Sequence, residues 1–102
     1  MRDDVAKELV TELLARGFTT RGDFGVGPEP THVAPQESVF FGDEYLLDIE
    51  LGELLEIMVL KRDRASRAAP VVGEDAASAV YDDVSLVVDA IKAVIARLNA
   101  GQ

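Results

Sequence analysis

Apolar residues recur at helical spacing near both ends of the chain and lose that spacing in the middle. Over residues 3–17, Val5, Leu9, Val10, Leu13 and Leu14 form one stripe, the period that predicts an amphipathic helix. Asp3 or Asp4 precedes the stripe, where a carboxylate can accept bonds from free amides at the positive end of the helix dipole. Gly17 stands where a left-handed residue closes a helix, and Phe18 can fold back onto Leu13 to seal that end. Towards the other end Val84, Val87, Val88, Ile91, Ile95 and Leu98 make an unbroken stripe and predict a helix over 82–99. Asp82 and Asp83 at its start and Arg97 near its end suit the dipole. Its valines are weak helix formers, so packing of the stripe must hold it.

Between these stripes the pattern changes twice. Residues 19–38 hold Gly22, Gly25, Gly27, Pro28, Pro30 and Pro35, which interrupt any regular element. Phe24, Val26 and Val33 are apolar enough to anchor this arm on a neighbouring surface, and a segment bound for disorder would carry more charge. Residues 38–62 read as antiparallel strands: Val39–Phe41, a Gly42-Asp43 hairpin signal, and then Tyr45–Leu51, where Tyr45, Leu47, Ile49 and Leu51 alternate with Leu46, Asp48 and Glu50. After Gly52-Glu53, Leu54–Leu60 is expected as the next strand. A strict two-residue turn there would set Ile49 opposite Glu56, so a bulge or longer loop is required. A helix is the competing reading, because Leu47, Leu51, Leu54, Leu55 and Met58 also share one helical face. Gly52 would then sit inside the helix at a cost of about 1 kcal/mol relative to Ala, and the Ile57–Leu60 run suits a strand buried on both faces. Residues 63–80, rich in alanine and charge and broken by Pro70 and Gly73, are expected to be a linker.

The sum is a single domain over residues 1–102, of class α+β: a small antiparallel sheet of two to four strands with an N-terminal and a C-terminal helix packed on it. With 48% apolar residues, the 102-residue chain has material for one core. Its longest apolar runs are far too short to cross a bilayer, and acidic residues throughout the first helix argue against a signal peptide. The absence of cysteine excludes disulfides, thiolate metal sites and cysteine nucleophiles.

Charge narrows the partners. Nineteen acidic and ten basic residues give a net charge of -9, a field that repels phosphate and disfavours nucleic acid. Lys61, Arg62, Arg64 and Arg67 run against that field, gathering four of the ten basic side chains into one short stretch. They could meet the acidic surface of a second copy, touch a phosphate backbone within a larger assembly, or simply be solvated.

Other candidates carry less. Gly22–Gly27 follows no strand and runs into Pro28, whereas a phosphate loop needs amides converging on a helix N-terminus. His32 has no second histidine or cysteine to complete a metal site. Asp48 and Glu50 would share one face of a strand, with Glu53 and Glu56 nearby, but a solvated face explains them as well as paired acid–base carboxylates do. No catalytic, cofactor-binding or metal-ligating set emerges.

A strand ending in Leu54–Leu60, followed by Lys61-Arg62-Asp63-Arg64 and an apolar helix over Tyr81–Leu98, resembles the core of small tailed-virus neck proteins. These are the tail-terminator and head–tail completion proteins, which assemble as rings. Asp3–Gly17 matches the helix that precedes the sheet in that family. The resemblance lies in the order of elements over most of the chain, assigns no site residue, and departs where this chain ends straight after the second helix. It implies a virion or cytoplasmic protein. The expected function is a non-enzymatic subunit of a homo-oligomeric assembly, with a virion neck or tail ring as its sharpest form. Its partners would be copies of itself and other assembly proteins, met through Phe24, Val26, Val33, Lys61, Arg62, Arg64 and Arg67. The alternative is a small acidic inhibitor or immunity-type protein that covers a basic surface.

Overall fold

The computed structural model describes residues 1–20, 32–34, 41–42 and 48–101, the three strands by their backbone alone. Residues 1–18 and 48–101 are 86% helical and contain no strand. The α+β expectation is therefore corrected: the described chain is mostly helical. Among the described residues the helices are, in order, α1 (Asp3–Ala15), α2 (Leu51–Arg67), α3 (Ala69–Val72) and α4 (Glu74–Ala100). Three short strands, β1 (Thr19–Thr20), β2 (His32–Ala34) and β3 (Phe41–Gly42), pair antiparallel in that order. Thr19 lies opposite Ala34 and Val33 opposite Phe41. Among the described residues this ladder has two residue pairs on each side of β2.

The largest correction falls on residues 51–67. Leu51, Leu54, Met58 and Ala65 are buried at helical spacing, and the first three belong to the face on which the helical reading of this segment rests. The glycine objection disappears through position: Gly52 is the second residue of α2, following Glu50 at the cap. There the backbone has not yet entered the helix interior, where glycine is costly. The Ile57–Leu60 run is not a doubly buried strand, because only Met58 within it is fully inside the core. The expected strand over 45–51 falls partly outside the described residues, and Leu51 within it begins α2.

The expected linker over 63–80 is also helical. Pro70 sits in the first turn of α3, where its missing N–H costs nothing. Gly73 adopts φ +94°, turning the chain between α3 and α4 while its N–H still bonds the Ala69 carbonyl at 2.9 Å. The last helix thus begins at Glu74, and Asp82 and Asp83 lie inside it instead of at its cap.

The first helix ends as its sequence requires. Gly17 has φ +97°, its N–H bonds the Leu14 carbonyl, and the Phe18 N–H bonds the Leu13 carbonyl, both at 3.1 Å. This is the Schellman closure, and buried Phe18 joins the same apolar cluster as Leu13. At the other end Arg2 takes the cap position without a capping side-chain bond, its guanidinium meeting Asp4 instead, and Asp3 and Asp4 occupy the first turn.

The core lies between helices. Leu9 and Leu13 of α1, Leu54 and Met58 of α2, and Val84, Val87, Val88 and Ile91 of α4 form one cluster, with Ile95 partly buried at its margin. The helix stripes expected to meet a sheet meet each other. Two polar ties fix α1: the Met1 amino group donates to the Ile49 carbonyl at 2.6 Å, and Arg97 of α4 reaches both Glu8 and Glu12, at 2.9 and 2.8 Å. Those bonds, Glu12's first, raise the Arg97 guanidinium above its already high ordinary pKa.

Candidate interaction surface

Helix α2 presents a second face to solvent. Counting from its start, Glu53, Ile57, Leu60, Arg64 and Arg67 recur at alternating spacings of four and three, which aligns them as one stripe. All five are exposed, and the two apolar members keep 41% (Ile57) and 56% (Leu60) of their surface in water. Ile57, Leu60, Lys61 and Arg64 line a surface depression of about 320 Å³. A second depression continues from Lys61 and Arg64 towards Val72 and Val80, and a third, of about 450 Å³, lies across Leu60 among Leu55, Glu56 and Val59.

The basic patch expected from the sequence therefore has a helical geometry. Lys61, Arg64 and Arg67 are exposed on the second half of α2, whereas Arg62 is half-buried towards the core side. Arg64 and Arg67 fall in the last turn and Glu53 in the first, so the helix carries negative charge at its positive end and positive charge at its negative end. That distribution stabilises the helix itself. None of Glu53, Lys61, Arg64 and Arg67 makes an ion pair with a described residue, so their charges remain free for a partner.

Of the expected apolar anchors, Phe24 and Val26 lie outside the described residues, and Val33 is placed only as the centre of β2. Among the described residues the structure brings Lys61, Arg64 and Arg67 together on α2. Asp48 and Glu50, expected on one strand face, precede α2 and lie in no strand, while Glu53 and Glu56, expected nearby, belong to α2. Ile57 and Leu60 escape a sequence reading because an apolar run reads as core until its period is known. Asp83 escapes it too. It is buried to 8% exposure on α4 and bonds no described residue; nearby, the Ser85 hydroxyl is buried without a partner.

Among the described residues no helix is long and apolar enough to cross a membrane. Comparison with protein-family models, curated proteins and solved structures gives no match. The resemblance to tailed-virus neck proteins gains nothing there, and the strand over Leu54–Leu60 that began its pattern is helix.

Proposed function

We propose that this chain is a non-enzymatic assembly subunit that works by associating with copies of itself. The observation that carries the reading is the outward face of α2, where exposed Ile57 and Leu60 adjoin Lys61 and Arg64 on a chain of net charge -9. Adjacent large apolar side chains left in water favour a protein partner, and their basic flank favours an acidic one. A second copy supplies such a surface without any further component. The virion-ring version drew on a strand where α2 lies, so it is not part of this proposal.

Light scattering on the purified full chain across a concentration series tests it. A defined oligomer that dissociates on dilution is expected. A chain that remains monomeric throughout, and instead captures a basic protein, would overturn the reading in favour of an acidic inhibitor.

A further inference from the structure

The charge order along α2 makes its outward stripe complementary to itself when reversed. We propose that two copies pair through antiparallel α2 helices about a two-fold axis passing between Ile57 and Leu60. The inference rests on the self-association reading above and names its surface.

Placing Ile57 of one copy against Leu60 of the other puts both apolar members of each stripe at the centre. The same register, carried four residues outward on each side, sets Glu53 opposite Arg64. With a rise of about 1.5 Å per residue, each Glu53–Arg64 pair lies about 8 Å along the helix from the axis, and Arg67 is one turn beyond. Two-fold symmetry produces the pair twice. Every member of the stripe is exposed and without an ion pair to any described residue, so pairing breaks no existing bond. A parallel arrangement would place Glu53 on Glu53 and Arg64 on Arg64. Like charges then oppose one another, and that choice is disfavoured. The isologous dimer is also the commonest closed assembly.

The chain lacks cysteine, so a single introduced thiol reports position cleanly. Leu60→Cys in the full-length chain, treated with a short bismaleimide, should give a covalent dimer. Val71→Cys, placed at a side chain 87% exposed on α3 and away from the stripe, should not. Sedimentation equilibrium of the charge variants supplies the second arm. Glu53→Arg or Arg64→Glu alone should raise the dimer dissociation constant about tenfold or more, and the two together should restore it. The cross-link is read on the wild-type charges, so it stands whether or not those variants fold. An oligomer that survives both reversals, fails to recover in the double exchange, or links no better through residue 60 than through residue 71 overturns the α2 pairing and leaves self-association standing. A wild-type monomer overturns both.

Discussion

Leu54 and Leu60 are the same residue type six positions apart on one helix, and their truncation should give opposite kinds of loss. Leu54 is fully buried on the core face of α2, whereas Leu60 keeps 56% of its surface in water. Leu54→Ala removes buried methyl and methylene groups and leaves a cavity against α4, together worth about 3 kcal/mol. In a domain whose total stability is about 5–15 kcal/mol, and where 1 kcal/mol moves the midpoint by about 4–8 °C, the melting temperature should fall by about 12–24 °C. Leu60→Ala creates no enclosed cavity and should cost less than about 1 kcal/mol, as exposed substitutions do. The assay is thermal unfolding, with urea unfolding for the free energy, both followed by far-ultraviolet circular dichroism at a protein concentration low enough to keep the chain dissociated. Comparable losses at both positions would refute the reasoning. They would place Leu54 and Leu60 together on one buried face, as the period-two spacing of a strand does.

Three further outcomes follow from individual contacts. Gly17→Ala should destabilise by about 1 kcal/mol in the same assay: nothing lies within 4 Å of the added methyl group, so the cost is the left-handed backbone alone. Ser85→Ala should stabilise by about 1 kcal/mol, because it removes a buried hydroxyl without a partner and substitutes the best helix former. Arg97→Gln should lower the melting temperature in dilute buffer by releasing Glu8 and Glu12 of α1. That difference should shrink in about 1 M salt, where screening reaches about 3 Å.

The two ends of the chain are legible in the sequence because their signals agree. In α1 the apolar stripe, Gly17 and Phe18 all specify one helix and one stop. In α4 the stripe from Val84 to Ile91 is fully buried as its period requires. The start of α4 is not legible, since Pro70 and Gly73 are signs of a loop. Here they are the first turn and the exit of a one-turn helix within a helical hairpin. Residues 45–60 mislead for a different reason: alternation before Gly52 and helical spacing after it share Leu51, and the choice between strand and helix turns on where the glycine falls. Tertiary packing against α4 decides for the helix. The charged half of the candidate surface can be read from Lys61, Arg64 and Arg67. Its apolar half cannot, because the exposure of Ile57 and Leu60 depends on the helix that the sequence leaves in competition with a strand.

The most direct test of the account is a dilution series of amide nuclear magnetic resonance spectra on the isotopically labelled full chain. Residues 51–67 should show helical chemical shifts at every concentration. On concentrating the sample, shifts should move at Glu53, Ile57, Leu60 and Arg64 and stay fixed at Leu54 and Met58, which face the core. Extended-strand shifts over 54–60, or spectra that do not change with concentration, would contradict it.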